Sequence, residues 1–580
     1  MKERVFSFRY KFGISLALVV FFFVLFNHAN AQPKKGDELS GLASASGTVT
    51  SSSEFKAAKV YFRNPDKRIL YMVYTNAGKF QVMNLRPGNY EVSVLAKGLA
   101  SDVQKIDVTA GAKAIVNVSL HEAAKASSSV KLVPYEDIYP KDTEGRKIVE
   151  RLCIRCHGPN FLPSRQWTAE QWNGAIDFMM GGPTGQGAQI HPDELTKDER
   201  EVLVKFLVQN FGPDSDIRAV KFVKEMPVDE TKISKAEYIE YYFPVDGPGV
   251  GVNDPQYASV PGGAFGKRRV GQDVVFDQQG NVWVTDRGTP NRILRLDPRT
   301  AGYQEFVTPH PTVGIHDLMI DKDGVIWLPE NSGPDLDAFD TKTQKWVAAY
   351  TMNPDHVISG VIHGQSIVID SKHNIYLNFI EGSGMARLDW QTKKMVVTKV
   401  PTPNSYPYGV VKDSKDNVWI AEFRAGKILR MDGETQKYTE YIPPTYPSLI
   451  RRLTVDSKEY VWFGLFSTGK LERLDPNTGK ITEWTIPFEN SQPYDEKQAL
   501  GSNKIWFSDG GQGGALVLFD PSSTRFAIYP APQLTDQPMI RIANDGAVWY
   551  SPRSAKNAGI GVLYPDMTKM TTFAGYGNND

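Results

Sequence analysis

Two long stretches of the chain alternate hydrophobic and polar residues in short runs separated by turn-forming residues. The first stretch covers residues 39–121. Its runs 59–62, 70–74 and 90–94 have the period of two that indicates strands. About seven short strands in a stretch of this length are typical of a β-sandwich. It carries no cluster of acidic, basic or metal-binding residues, so we interpret it as a spacer or docking module.

The second stretch, residues 233–575, repeats one phrase in five clear and two weaker copies. Each clear copy runs from an aspartate through a polar turn to an aromatic residue, and these aromatic residues follow one another at intervals of 43 to 49. They are Trp283, Trp327, Tyr376, Trp419, Trp462, Trp506 and Trp549. This period predicts four-stranded blades, and seven copies predict a closed seven-bladed propeller. Residues 238–241 match the strand that ends each blade, so we expect them to close the ring with the last blade.

Between these stretches, residues 135–213 change to a helical pattern. A first helix is predicted over 143–152, and a second helix begins with a capping box at Thr168. The second helix places on one face the residues Trp172, Ile176 and Met179. A third helix, capped at Thr196, is predicted to bury Val202, Leu203, Phe206 and Leu207. The sequence therefore predicts a multidomain protein: a β-sandwich, then a small all-α domain, then an all-β propeller, with a small-residue linker at 122–135 after the sandwich.

The first 31 residues have the pattern of a secretory signal peptide. Basic residues precede an apolar run at 13–26, and Ala29-Asn30-Ala31 forms a small-residue cleavage site. We therefore expect a periplasmic or secreted protein, with an uncleaved anchor as the alternative. No later run reaches about 18 apolar residues, so no transmembrane segment is expected after cleavage. The 66 basic and 66 acidic side chains give no basic footprint, which argues against nucleic acid as a partner.

The only two cysteines of the sequence, Cys153 and Cys156, form a Cys-x-x-Cys-His motif with His157. Two thiols at this spacing near the end of a helix can each form a thioether to a porphyrin, and the next residue is placed to ligate the iron. The motif therefore predicts one covalently bound haem c. The alternatives are a disulfide or thiol redox pair, and half of a zinc site that lacks a second cysteine pair.

The helical segment resembles a small monohaem cytochrome c. The resemblance rests on the motif at 153–157, on the helix that contains Met179, and on a closing helix that ends in Asn-Phe-Gly-Pro. It implies His157 as the proximal ligand of the haem iron and Met179 as the distal ligand, with Met180 and His191 as alternatives. It also implies a redox partner protein or a small electron carrier.

The two β-rich stretches carry resemblances of their own. Residues 78–90 resemble the carboxypeptidase regulatory-like domains of secreted bacterial proteins. Residues 407–430 resemble the virginiamycin B lyase family, and this resemblance extends over all seven repeats. It implies elimination across an ester by a histidine base beside a glutamate, assisted by Mg²⁺. The family's histidine lies in a Glu-x-His-Gly turn, whereas the corresponding turns here, 492–495 and 537–539, contain no histidine.

Overlaying the repeats predicts which residues face the central funnel. Eleven residues before the aromatic anchors stand Gln272, His316, Gln365, Tyr408, Arg451, Asp495 (or Tyr494, if the sixth blade is shifted by one residue) and Pro538. Three residues after the anchors stand four carboxylates: Asp286, Glu330, Glu422 and Asp509. Both sets change identity between blades, so we interpret them as a ring that binds a small-molecule substrate, with solvated turns as the alternative. The carboxylates are suited to hold Mg²⁺ or Ca²⁺.

Chemistry in the funnel would need a base. His316 is the only histidine at a ring position, so we predict His316 and Glu330 as a catalytic pair, with His363 as a further candidate. The first functional hypothesis is an exported c-type haem protein for electron transfer or oxidoreduction, whose propeller binds a small substrate or a partner. The alternatives are a virginiamycin B lyase-like carbon–oxygen lyase that opens cyclic depsipeptides, and a non-enzymatic binding platform.

Overall fold

The computed structural model describes residues 37–123, 131–180, 190, 193–257, 268–359, 362–446, 448–553, 557–577 and 579. Strands predominate: a β-sandwich-like region lies at the N-terminal end and a propeller-like region at the C-terminal end. The predicted signal peptide, residues 1–31, falls outside the described residues. In the part that is described, every helix is too short or too polar to cross a membrane.

Nine strands form the N-terminal region. They are Ala43–Ser51, Lys59–Asn64, Ile69–Tyr74, Lys79–Leu85, Gly88–Ala96, Leu99–Ala100, Gln104–Val108, Lys113–Ile115 and Val118–Glu122. In the strand Gly88–Ala96, Tyr90, Val92 and Val94 are buried while the residues between them are not, as the period of two predicts. These side chains join a hydrophobic core that continues into the propeller.

Short helices fill the next segment. They are Tyr135–Ile138, Glu144–Val149, Arg155–His157, Ala169–Met179 and Lys197–Phe211, with a π-helical turn at Glu150–Ile154. A parallel pair of strands, Lys131–Val133 and Arg218–Val220, brackets the segment. Trp172, Leu203 and Phe206 belong to a small hydrophobic core of its own.

The described residues of this segment do not make a clear small all-α domain, which corrects the predicted fold class. The predicted helix over 143–152 is interrupted by the π-helical turn, and strands bracket the helices. Val202 was expected to be buried but is 40% exposed. The reason is helical phase: Leu203, Phe206 and Leu207 occupy the buried face, and Val202 lies beside it.

Six four-stranded antiparallel sheets form six blades in chain order. Their strands are Gly271–Phe276, Val282–Asp286, Arg292–Asp297 and Gly302–Val307; Met319–Ile320, Val325–Pro329, Asp335–Asp340 and Lys345–Thr351; Gly364–Ile369, Ile375–Phe379, Gly384–Leu388 and Met395–Lys399; Pro407–Lys412, Val418–Glu422, Lys427–Met431 and Tyr438–Tyr441; Ile450–Val455, Val461–Leu465, Lys470–Leu474 and Ile481–Thr485; Pro493–Gln498, Ile505–Asp509, Ala515–Asp520 and Arg525–Pro530. The short helical turns are Asp37–Leu39, Leu162–Ser164, Glu230–Ile233, Gly251–Asn253, Pro255–Tyr257, Gly511–Gly513 and Met567–Lys569.

The seventh blade joins the two ends of the propeller. Its inner strands are Ile540–Ile542, Val548–Tyr550 and Gly559–Tyr564. Its outer strand, Glu237–Tyr242, comes from the beginning of the propeller region and pairs antiparallel with Gly559–Tyr564, as predicted for residues 238–241. The other edge of this outer strand pairs with Ile69–Tyr74 of the N-terminal region. One sheet therefore runs from the propeller into the sandwich.

The repeated aspartate explains the phrase that revealed the blades. In blade five, the Asp456 carboxylate accepts hydrogen bonds from the indole of Trp462 at 2.8 Å and from the backbone N–H groups of Lys458 and Tyr460. Equivalent bonds to the aspartate six residues earlier are made by Trp283, Trp327 and Trp419. The aspartate thus closes the turn before the second strand and satisfies the buried indole N–H.

We predict that Asp456→Ala destabilises the protein by about 3 kcal/mol, because it leaves the buried Trp462 indole without an acceptor. Urea unfolding followed by tryptophan fluorescence measures this. Asp475→Ala, which removes a surface turn aspartate of the same blade, is the matched control and should have a much smaller effect. Equal losses in the two variants would contradict the capping role of Asp456.

Candidate functional site

Ring residues from blades that are not neighbours meet at the centre of the propeller. The Tyr408 and Tyr494 hydroxyls, from blades four and six, are 2.7 Å apart. The His316 ring, from blade two, meets the Tyr408 ring edge-on, with centroids 5.9 Å apart. Gln365 donates to the His316 ring, and Arg451 donates to the Tyr494 hydroxyl at 3.2 Å. The structure therefore brings these five predicted positions together around the axis, with Tyr494 rather than Asp495 as the residue of blade six.

Arg451 is held mainly by aromatic rings. Its guanidinium carbon lies 5.2, 4.7, 4.3 and 4.6 Å from the ring centroids of Tyr408, Phe423, Phe466 and Tyr494. In the described part of the chain Arg451 forms no salt bridge, and its Nε is buried without a hydrogen-bond partner. Cation–π contacts therefore replace a carboxylate as its source of stabilisation.

The two tyrosines of this cluster differ in acidity. Burial alone would raise the pKa of Tyr494, but the guanidinium groups of Arg451, Arg553 and Arg452 outweigh burial and lower it. Burial, followed by the neighbouring Tyr494, raises the pKa of Tyr408 to about 12. The arginines therefore favour the phenolate form of Tyr494, which is hydrogen-bonded to the Tyr408 hydroxyl.

The overlay missed one set of residues at the mouth of the funnel. The Arg287 guanidinium donates a hydrogen bond to the Gln272 side-chain oxygen at 3.4 Å, and the Asn331 amide donates one to the Gln365 side-chain oxygen at 3.5 Å. Arg287 and Asn331 each stand four residues after the aromatic anchor of their blade, whereas the overlay selected the residue three after the anchor. The same offset gives Arg287, Asn331, Ile380, Phe423, Phe466, Gly510 and Arg553. Consecutive strand residues point to opposite faces, so the choice of offset decides which set reaches the axis.

A second layer of buried charged residues lies next to the ring. In four of the seven blades it begins one residue further along the chain, at Asp273, Asp317, Arg452 and Asp495. Arg452 and Asp317, from blades five and two, form a two-bonded ion pair at 2.7 and 2.8 Å. Asp495 pairs within its own strand with Lys497 at 3.0 Å. These groups line a cavity of about 130 Å³, and the Arg452–Asp317 pair ties two blades together across the axis.

The predicted catalytic pair, His316 and Glu330, is not brought together. His316 contacts the Asp317 carboxylate at 2.7 Å through Nδ1, and Gln365 occupies its Nε2 at 2.6 Å. Burial lowers the pKa of His316 to about 3, so the ring is neutral. Glu330 instead contacts His310 at 2.6 Å. Both His316 ring nitrogens are engaged, which fits a role in packing rather than in proton abstraction.

The four predicted carboxylates do not converge on one point. The Asp286 carboxylate accepts hydrogen bonds from the backbone N–H groups of Val270 and Gly288, both at 3.0 Å. Asp509 caps the corresponding loop of blade six, and Glu422 is fully buried in blade four. Among the described residues, Asp286, Glu330, Glu422 and Asp509 therefore do not come together as the predicted shared Mg²⁺ or Ca²⁺ site.

The helical segment covers the mouth of the funnel. Cys156 packs against the aromatic cluster that contains Tyr408 and Tyr494. A β-carbon at Gly158 would lie 3.2 Å from the Gln492 side chain. Arg424 of the propeller reaches Glu194 of the helical segment at 3.4 Å. The Cys-x-x-Cys-His motif therefore sits directly beside the axial ring, a proximity that no sequence spacing indicates.

The motif residues are free thiols and a neutral imidazole. Burial raises the pKa of Cys153 to about 12. His157 stacks on Phe161 with ring centroids 4.3 Å apart. Its side chain is exposed, as a ligand to a bound group would need to be. Met179 and Met180 pack on the core of the helical segment, and His191 falls outside the described residues.

Comparison with known proteins identifies two parts of the chain. The sequence model of the virginiamycin B lyase family matches residues 268–517 and 342–571, together slightly more than half of the chain. The model of the carboxypeptidase regulatory-like domain matches residues 44–121. No curated protein matches the chain.

Three solved structures are similar to part of this chain. A streptogramin B lyase is 20% identical, with a TM-score of 0.47 over 57% of this chain and 97% of that chain. The virginiamycin B lyase of Staphylococcus aureus is 23% identical, with a TM-score of 0.45 over 51% of this chain and 94% of that chain. A catalytically inactive form of the S. aureus enzyme, solved with quinupristin, is 22% identical, with a TM-score of 0.45 over 51% and 95%. At these identities and scores, the structures carry no argument about function.

The family match overturns the first functional hypothesis. Electron transfer or oxidoreduction as the function of this chain was inferred from the Cys-x-x-Cys-His motif, which covers five residues. The matched model, of the virginiamycin B lyase family, covers residues 268–571, which are most of the propeller. The prediction of an electron-transfer or oxidoreductase protein is therefore wrong, and the lyase alternative is favoured.

We predict that Arg452→Met destabilises the protein by about 3–5 kcal/mol, because it leaves the Asp317 carboxylate buried without its cation. The double variant Arg452→Met, Asp317→Leu should lose less than the single variant, because no charge then stays unpaired. Chemical unfolding of these two variants and of the single variant Asp317→Leu measures the difference. A double variant whose loss of stability equals the sum of the losses of Arg452→Met and Asp317→Leu would show that the pair is not coupled.

Proposed function

Because the chain belongs to the virginiamycin B lyase family, we propose that its propeller is a carbon–oxygen lyase that eliminates across an ester, with the reaction at the axial ring. The observation that carries this proposal is the cluster of Tyr494, Tyr408 and Arg451. It combines a tyrosine whose pKa is lowered, a second hydroxyl hydrogen-bonded to it at 2.7 Å, and a guanidinium without a salt bridge in the described chain.

The reaction needs one base and one cation. The Tyr494 phenolate removes a proton from the carbon next to a carbonyl, and the electrons of that C–H bond form a double bond to the neighbouring carbon. The ester C–O bond of that neighbouring carbon breaks, and the ester oxygen leaves with the bonding pair as a carboxylate. Arg451 is placed to stabilise the negative charge that develops on the carbonyl oxygen. No water is consumed.

The proposed base occupies the turn where related lyases carry a histidine. In this chain the turn reads Gln492-Pro493-Tyr494-Asp495, so Tyr494 stands at the histidine position. A phenol is a weaker acid than an imidazolium, and three arginines near Tyr494 supply the field that lowers its pKa. The three arginines thus offset part of the higher pKa that a tyrosine has compared with a histidine.

Burial of the proposed base restricts when a substrate can reach it. Tyr494 is 1% exposed, and Cys156 packs over the cluster. A substrate therefore reaches the base only when the helical segment moves away from the mouth of the funnel. We propose a cyclic depsipeptide as the substrate, because its ester presents the required C–H and C–O bonds in one loop.

We predict that the full-length protein opens quinupristin to a linear product of unchanged mass, whereas hydrolysis would add the mass of one water. Mass spectrometry distinguishes the two outcomes. Tyr494→Phe should lower kcat/KM by about 100-fold or more, because it removes the base. The wild-type rate should rise with pH as Tyr494 loses its proton.

Tyr446→Phe is the matched control, since Tyr446 is 52% exposed and does not belong to the buried aromatic cluster around Tyr494. This variant should retain full activity. A hydrolysed product would refute elimination. Tyr494→Phe with unchanged kcat/KM would refute the assignment of the base, and absence of any ring opening would refute the proposed lyase function.

For the helical segment we propose a covalent haem c, held by thioethers to Cys153 and Cys156 with His157 as an iron ligand, in a chain exported by means of residues 1–31. The residues fit the group: both thiols are free, Cys153 lies in the π-helical turn and Cys156 in the helical turn that follows it, and the His157 side chain is exposed. A bound haem would supply an iron centre, and Met179 would supply a second ligand to that iron.

We predict that protein exported from cells able to ligate haem keeps its haem through denaturing electrophoresis, because thioether bonds survive unfolding. Haem staining of the gel measures this. The double variant Cys153→Ser, Cys156→Ser should lose the stain, whereas His157→Ala should keep it and change the absorption spectrum. Staining of the double variant, or an unstained wild-type protein, would contradict haem attachment.

A further inference from the structure

Three metal-binding side chains meet between blades one and two, and a fourth carboxylate lies on the same face of the adjoining strand. His310 follows the last strand of blade one, Glu330 follows the second strand of blade two, and Asp335 begins the third strand. The ligand atoms of these three residues lie within 4.8 Å of one another. Glu330 and Asp335 are also linked through the backbone, because the Glu330 N–H donates to the Asp335 carbonyl oxygen at 2.9 Å.

The fourth residue is Asp337, which is fully buried. Asp335 and Asp337 are two positions apart on one strand, so their side chains lie on the same face. Asp337 pairs with Leu328, and Leu328 packs on residues of blade one. The Asp337 side chain thus points to the junction where His310 and Glu330 lie.

Asp337 has no partner to compensate its burial. Both of its carboxylate oxygens are buried without a hydrogen bond in the described chain. Burial and then the Glu330 charge raise the pKa of Asp337 to about 7. A buried carboxylate without a partner, beside two others and an imidazole, is the arrangement that a bound cation would relieve.

A second cluster of similar side chains lacks such a buried carboxylate without a partner. Asp321, Asp323 and His373 also lie within 4.8 Å of one another. The Asp321 carboxylate, however, already accepts hydrogen bonds from Trp327 and from His373, each at 2.9 Å. Because these hydrogen bonds already stabilise the buried Asp321 carboxylate, its burial does not call for a bound cation.

We propose that His310, Glu330, Asp335 and Asp337 bind a divalent transition-metal ion, Mn²⁺ or Zn²⁺. One imidazole and three carboxylates suit these ions, whereas a site for Ca²⁺ or Mg²⁺ would be built from oxygen ligands alone. The ion replaces the His310–Glu330 contact and gives Asp337 a counter-charge. This site is independent of the proposed elimination at Tyr494.

The experiment uses the full-length protein after treatment with EDTA and dialysis. Titration with Mn²⁺, followed by electron paramagnetic resonance, and with Zn²⁺, followed by calorimetry, should give one saturable site. Asp337→Asn and His310→Ala should each weaken binding by about tenfold or more. His310 is half-exposed, so His310→Ala keeps the fold and stays informative if Asp337→Asn does not fold.

Asp323→Asn is the matched control from the second cluster and should bind as the wild type does. Equal metal affinity in the wild type, Asp337→Asn and His310→Ala, or no saturable binding of either ion, would overturn the proposal.

Discussion

The strand Glu237–Tyr242 holds the molecule together because both of its edges are paired. One edge completes the seventh blade and closes the propeller, and the other extends the same sheet into the N-terminal region. The helical segment lies in the chain between these two paired regions. Since both of its ends are anchored to one continuous sheet, its path is confined to the surface of the propeller, and it places Cys156 against the axial cluster.

At the centre of the propeller, two polar contacts join blades that are not neighbours. Asp317 and Arg452 pair across the axis, and Tyr494 and Tyr408 share a hydrogen bond. Arg451 differs, because aromatic rings surround it and it forms no salt bridge in the described chain. Together with Arg553 and Arg452, its charge lowers the pKa of the Tyr494 phenol, so the packing of the centre and the proposed chemistry have the same physical origin.

Much of the fold could be predicted because it is repetitive. The aspartate and the tryptophan six residues later recur with the blades since every blade must close the same turn and satisfy the same indole. The axial ring could be predicted by the same overlay, which names His316, Tyr408 and Arg451. The carboxylates three residues after the anchors were misplaced, because an overlay gives the position along a strand but not the face on which a side chain lies.

The sequence by itself determined the blade period, the strand that closes the ring, the family of the propeller and the residues that can reach the axis. Only the tertiary structure decided which of them meet: that Tyr494 rather than Asp495 completes the ring, that His316 is engaged by Asp317 and Gln365, and that the Cys-x-x-Cys-His segment covers the funnel. Periodicity is a local property and is written in every repeat. Contacts between residues from opposite blades depend on closure of the whole ring, and no spacing along the chain records them.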